Sequence, residues 1–135
     1  MIIYIPIKHA SERVPFKNFR EFRDKPLWRN CIDKLSKDFT VWVDTDSQIL
    51  LQEINSIQGV NCYSRPEKLR GHSVSVVDLI SNFITTYNIT TPICQVHVTS
   101  PFLQAEHIKY SFDLINKGFD SVFGVTKTQK RFWSE

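Results

Sequence analysis

Apolar runs spaced for strands alternate along the chain with runs spaced for helices. Ile2 to Ile7 is a β-branched and aromatic run without polar interruption, the pattern of a buried strand. A polar, basic stretch from Lys8 to Lys25 follows, with Pro15 inside it; connections of that length in compact domains tend to carry function. Pro26 suits the first turn of a helix, and Leu27, Cys31, Ile32 and Leu35 give that helix an apolar stripe. Phe39 to Val43 reads as the second strand, ending in the acidic triplet Asp44, Thr45, Asp46. Ser47 to Ile57 reads as a helix with Ile49, Leu50, Ile54 and Ile57 on one face, and Val60 to Tyr63 as a short third strand. Ser73 to Tyr87 has helical spacing, with Ser73 as its expected N-cap. Ile93 to Val98 is the expected fourth strand, Ala105 to Asn116 a helix ended by Gly118, and Ser121 to Thr126 a fifth strand.

This alternation predicts an α/β fold, a three-layer sandwich with a mostly parallel sheet and helices on both faces. Crossovers should be right-handed, and a ligand should sit at the carboxyl ends of the strands. The polar loops there are 8–18, 44–46, 64–75 and 99–103, and they are expected to serve one crevice. A single domain over 1–135 is the simplest organisation.

Composition narrows the picture. The 135 residues are 41% hydrophobic and 23% charged, enough for a core that needs neither disulfide nor structural metal. Four glycines and six prolines exclude low complexity, and no fixed-period repeat is present. Cys31, Cys62 and Cys94 are an odd, widely spaced set inside apolar runs, the usage of reduced packed thiols. No run reaches the length of a membrane span and the N-terminus lacks a secretory pattern, so a cytoplasmic location is expected, with no membrane partner. The net charge is +3, with Lys8, Arg13, Lys17, Arg20, Arg23, Lys25, Arg29, Lys34 and Lys37 crowded into the first 37 residues. Such a run is either a solvated face or an anion-binding end of the domain. No aromatic platform interleaves these charges, so nucleic acid is not an expected partner.

The loop IPIKHASERVPFKN favours the anion-binding alternative. It leaves a parallel strand, Ala10 and Ser11 are small enough for close approach of a phosphate, and Lys8, Arg13 and Lys17 supply positive charge. It matches neither the GxxxxGK[ST] nor the GxGxxG pattern.

Six blocks of the sequence, in order, resemble the acylneuraminate cytidylyltransferases, the synthetases of CMP-sialic acid and of its pseudaminic and legionaminic counterparts. IPIKHASERVPFKN is similar to their IPARGGSKxIPxKN. KPLW resembles GKPL, VWVDTDSQI resembles VVSTDDEEI, and SRPEKLRGHSVSVVDLI resembles RPxELAxDxxSSxDVL. VHVTSPFLQAEHI is similar to LQPTSPLRTAEDI, and GFDSVFGVTKTQKRFWS to GADSVVSVTExxxxPFWS. The TSP triplet separates this pattern from the related CMP-Kdo synthetases, which carry an acidic GDEP there. The resemblance implies a Rossmann-like nucleotide-diphospho-sugar transferase fold. It also implies transfer of CMP from CTP to the anomeric hydroxyl of a nonulosonic acid with release of pyrophosphate, assisted by Mg²⁺.

On that resemblance Lys17, of the KN pair, is the catalytic candidate, a cation on the triphosphate near the transferring phosphorus. Lys8, Ser11, Asn18, Arg65 and Ser75 fall on nucleotide-contacting positions. Ser11 and Asn18 would otherwise read as turn or capping residues, Arg65 as a structural arginine at a strand end, and Ser75 as a first-turn serine. Arg13 is either a phosphate contact or a surface ion-pair partner. His97, Thr99 and Ser100 lie where the acceptor sugar comes close; the alternatives are a partly buried histidine and a plain turn. Asp44 and Asp46 match a segment that ends the second strand and caps the next helix, which favours capping over metal binding.

The sequence also departs from the pattern. Lys8 stands where the family has Arg, His9 and Ala10 replace two glycines, His72 replaces an acidic residue, and His97 replaces Gln. The resemblance further implies a C-terminal part carrying a homodimerisation arm and the aspartates of the metal site, which the stretch ending at Glu135 does not contain; no metal ligand is assigned. A second functional reading is therefore a nucleotide-binding or scaffolding domain that keeps the fold without turnover.

Overall fold

The structure, a computed structural model, describes residues 1–11, 14–71 and 73–127. They divide into two compact units, Met1–Ala105 and Glu106–Glu135, the second described only as far as residue 127. The first opens with β1 (Ile2–Ile7), a 3₁₀ turn at Lys17–Phe19, and the short strands β2 (Glu21–Phe22) and β3 (Lys25–Pro26). It continues through α1 (Leu27–Leu35), β4 (Thr40–Thr45), α2 (Gln48–Ile54) and β5 (Val60–Ser64). A 3₁₀ turn at Glu67–Leu69, α3 (Val76–Tyr87) and β6 (Ile93–Gln95) complete it. α4 (Ala105–Asn116) begins on the last residue of the first unit.

The main sheet has the order β5-β4-β1-β6 and every pairing in it is parallel. The connections β1–α1–β4 and β4–α2–β5 run outward in one direction, and the right-handed rule for parallel crossovers then assigns α1 and α2 to the same face. The β5–α3–β6 connection runs back past β1 and puts α3 on the other. Strand alternation matches this arrangement. Ile3, Ile5 and Ile7 of β1 are fully buried together with Val41 and Val43 of β4, while α1 buries Trp28, Cys31, Ile32 and Leu35 at helical spacing. The opposite face carries Tyr4, Tyr63, Leu79 and Phe83, flanked by Trp42, Ile80 and Ile93. There the ring of Phe83 lies 5.0 Å from Tyr4 and 5.2 Å from Trp42, in tilted and edge-on geometries that aromatic pairs favour. The α/β sandwich with its parallel sheet is therefore the fold that the alternating pattern predicts.

Several boundaries differ from the expected ones. α3 starts at Val76 and is capped by Ser75, not Ser73. The Ser75 hydroxyl accepts from the Asp78 amide, and the Asp78 carboxylate accepts from the Ser75 amide. This capping box is written in the sequence as S-x-x-D and outcompetes a lone serine two residues earlier. β6 ends at Gln95, although the Val96 amide still donates to the Tyr4 carbonyl at 3.0 Å and Val98 stays buried. Ser121–Thr126 forms no strand: residues 121–127 carry no regular structure, and Phe123 and Val125 are largely exposed. Apolar alternation alone does not make a strand where no neighbour among the described residues supplies the ladder. Gly118 does end α4's run, with φ +96 and its amide on the Ile115 carbonyl.

Candidate functional site

Four parallel strands in this order reverse direction of assembly between β1 and β6. The loops leaving the carboxyl ends of those two neighbours therefore flank the switch point, where open α/β sheets place their ligands. Those loops are residues 8–18, after β1, and 96–104, after β6.

The first loop is closed on itself. Asn18, almost fully buried, donates from Nδ2 to the Lys8 carbonyl at 3.0 Å, tying the loop's end to its beginning. A backbone bond from Lys17 N to the Val14 carbonyl and another from Phe19 N to the Phe16 carbonyl build the turn that carries Lys17. Phe16 enters that turn with φ 51, in the left-handed region. Ser11 and Lys17 are half-buried. Arg13, an expected phosphate contact, lies outside the described residues, as do His72 and the FWS motif.

The second loop carries His97, Thr99 and Ser100, all exposed. His97 Nε2 lies 3.1 Å from Gln95 Nε2; the amide nitrogen can only donate, so this ring nitrogen accepts. The Ser100 amide donates to the His97 carbonyl at 3.0 Å and the Leu103 amide to the Ser100 carbonyl at 3.1 Å, folding the triplet into consecutive turns. Lys34 of α1 reaches across to donate to the Pro101 carbonyl at 2.8 Å, and Phe22 of β2 meets Phe102 edge-on at 6.2 Å.

Arg65 and Ser75 are placed differently. Arg65 is 4% exposed and turned inward, its Nε donating to Asp44 Oδ1 at 2.7 Å and its Nη2 to the Asp44 carbonyl at 3.2 Å. The Tyr4 hydroxyl donates to the other Asp44 oxygen. Asp44 thus neither caps α2 nor offers itself to a metal: it is the centre of a buried triad that links β1, β4 and the end of β5. Burial pushes the Asp44 carboxyl above its ordinary range against the pull of Arg65, and the same burial pushes the Tyr4 phenol up. Ser75 spends its hydroxyl on the α3 cap, donating also to Asp78 Oδ2 at 2.7 Å. Those bonds hold the exposed Asp78 carboxyl below its usual value.

The cap of α2 is Ser47, whose Oγ accepts from the Leu50 amide at 3.3 Å, while Asp46 accepts from the His9 amide at 2.7 Å. This link between the first loop and the end of β4 was not evident in the sequence, because it is made by a backbone N–H and by a residue that replaces a glycine of the resembled pattern. Among the described residues no three His, Cys, Asp or Glu side chains converge as a metal would require. The two carboxylates at the end of β4 are already held by Arg65 and by the His9 amide. The described residues therefore do not fit an Mg²⁺ site built from protein ligands.

A doubly wound α/β domain, with a closed basic loop and a turn-rich loop flanking its switch point, is the class that this fold and these loops define. The chain belongs to the cytidylyltransferase family, whose model matches residues 2–132. The N-acylneuraminate cytidylyltransferase of Oncorhynchus mykiss is 32% identical over 132 residues, a span of 93% of this chain and 30% of that protein. The Streptococcus agalactiae enzyme of the same name is 26% identical over 137 residues, 96% of this chain and 32% of its own. The chain thus spans about a third of the length of these curated relatives. Two solved structures share the fold, each with a TM-score of 0.69. One is a CMP:2-keto-3-deoxy-manno-octonic acid synthetase complexed with CTP, 17% identical, the match covering 87% of this chain and 47% of that one. The other is a cytidylyltransferase from Leptospira borgpetersenii, 21% identical, covering 88% and 50%. No helix among the described residues is long and apolar enough to cross a membrane.

Proposed function

We propose that this chain carries the CTP-binding part of an enzyme that moves CMP to the anomeric hydroxyl of a nonulosonic, sialic-type acid and releases pyrophosphate. The observation that carries the reading is the closed, basic loop after β1 at the switch point of a cytidylyltransferase-family sheet. In this reading the loop's backbone N–H groups and Ser11 receive the triphosphate. Lys8 and Lys17 offset its charge, and Arg13 is a further phosphate contact. Lys17 acts closest to the α-phosphorus, stabilising charge that grows on the departing pyrophosphate as the sugar oxygen attacks in line. Asn18 serves by closing the loop on Lys8. Arg65 acts through the Asp44 triad and Ser75 through the α3 cap, both setting loop positions. His97, Thr99 and Ser100, on the neighbouring loop, face the acceptor sugar. The chain's similarity to N-acylneuraminate cytidylyltransferases supports the choice of a sialic-type acceptor, and free, packed thiols support a cytoplasmic setting.

A second reading is favoured by the commitment of Asp44 and Asp46 to protein groups: a domain that binds CTP without turning it over. Thermal unfolding with millimolar CTP, ATP or GTP tests the shared part. CTP is expected to raise the midpoint most, and Lys17→Ala to remove most of that rise; no shift with CTP sinks both readings. Pyrophosphate release with CTP and a panel of sialic, pseudaminic and legionaminic acids then separates them.

A further inference from the structure

His9 stands where the resembled pattern has a glycine, and its side chain is not left over. Its backbone N–H donates to Asp46 Oδ1 at 2.7 Å. Its Nδ1 lies 2.9 Å from Ser47 Oγ, and Ser47 is only 1% exposed. That oxygen already accepts from the Leu50 amide as the cap of α2, so its hydroxyl hydrogen is available to the ring. Ring and hydroxyl are thus joined by a hydrogen bond across the base of the loop. The same ring is met edge-on by Phe16 at 5.4 Å and by Phe19 at 5.5 Å. Phe16 and Phe19 bracket Lys17 and form the turn that carries it; Phe16 adopts φ 51, a conformation that L-residues disfavour and that needs contacts to hold it.

These contacts converge on one function. We propose that His9 is a positioning residue, a latch that fixes the loop after β1 to the end of β4 and sets the turn bearing Lys17 before a nucleotide arrives. A glycine at this position leaves the loop free to sample many paths, and binding must then order it. His9 supplies that order in advance through Ser47 on one side and the Phe16–Phe19 pair on the other. The proposal rests on the reading of residues 8–18 as the CTP loop.

Two measurements on the whole chain test it, with wild type, His9→Gly and His9→Asn. The first is amide hydrogen exchange without nucleotide. His9→Gly is expected to speed exchange at Lys17 and Phe19 about tenfold or more relative to amides of β1 and β4, the loss of roughly one net hydrogen bond's holding. His9→Asn keeps a hydrogen-bonding atom near the Nδ1 position but no ring, and should fall between the two. The second is calorimetric titration with CTP, in which His9→Gly should raise the dissociation constant by about tenfold. Unchanged exchange at Lys17 and Phe19 overturns the latch whatever CTP does. Faster exchange with unchanged CTP affinity overturns its role in binding while leaving the CTP reading intact. Wild-type protein that takes up no CTP overturns that reading and the positioning role with it.

Discussion

Asp44 and Arg65 are buried together beneath the carboxyl end of the sheet, and the desolvation of both charges sets what their loss does. Removing one partner strands the other in a low-dielectric site, which typically costs about 3–5 kcal/mol. Asp44→Ala also leaves the Tyr4 hydroxyl without its acceptor, so it is expected to cost that full range. Asp44→Asn keeps an acceptor of the same shape and should cost less. Urea midpoints of the two variants check the order, and equal midpoints would show the retained acceptor to be immaterial beside the lost charge. The buried thiol of Cys31 makes a separate prediction. Burial pushes it from an ordinary 9.0 to about 11, so the unfolded chain gives up this proton first as the solution becomes alkaline. The native state then holds more protons than the unfolded one, and stability falls as pH rises from about 9 to about 11. Two pH units correspond to about 2–3 kcal/mol. Below pH 8 the group contributes no slope. Tyr4 and Cys62, pushed up the same way, add to the decline. The share of Cys31 is isolated by comparing urea midpoints at pH 8 and 10.5 in wild type and Cys31→Ala. The variant should lose less, and equal losses would rule the thiol out as their source.

At the scale of elements, the two candidate loops are positioned by different supports. The loop after β6 is held from outside by α1, through Lys34 and the Pro101 carbonyl. A charged donor on a carbonyl is worth about 1.5–3 kcal/mol where it is sheltered, and Lys34 is half-buried. Lys34→Met is therefore expected to lower protection of the Ser100 and Leu103 amides while leaving β1 and β4 protected, read by hydrogen exchange. Uniform loss across the sheet would mean that the bond supports the whole unit instead. The strands and long helices were legible because period-2 and period-3.6 burial survive in the sequence: β1 and α4 have the expected bounds. The β2–β3 hairpin was not, because its turn uses Arg23 and Asp24 at φ 52 and 62 where Asn-Gly would have announced it. The candidate site was legible as a stretch rather than as a set of contacts. Loop length, charge and the KN pair pointed to residues 8–18, and TSP to 99–103. The inward turn of Arg65 depends on Asp44, twenty-one residues earlier and on another strand, and no local pattern encodes such a pairing. The S-x-x-D cap at Ser75, by contrast, could have been read directly.

For the molecule as a whole, the relevant quantity is how an anionic ligand meets a chain of net charge +3 whose cations crowd into its first 37 residues. Part of that charge is internally neutralised: Lys25 and Arg29 both bond Asp33 at 2.7 Å. Burial of Asp33 works toward a higher pKa, but the two cations outweigh it and hold the carboxyl below its ordinary range. In the proposed reading, what the loop after β1 offers a triphosphate is local, the positive charge of Lys8, Arg13 and Lys17. This separates two salt responses. If CTP is held by a diffuse basic surface, its affinity should fall steeply and continuously with salt, because exposed charges beyond a Debye length of about 10 Å at 0.1 M are screened away. If it is held by the closed loop, the long-range part is lost early, and contacts made at hydrogen-bond distance are screened much less. The loop reading therefore predicts that the CTP dissociation constant rises by about tenfold or less between 50 and 500 mM NaCl. Lys17→Ala should weaken binding at both salt concentrations by similar factors. A hundredfold loss of affinity over that range, or a Lys17→Ala effect that disappears at 500 mM, would instead put the triphosphate on the general basic face between Arg20 and Lys37.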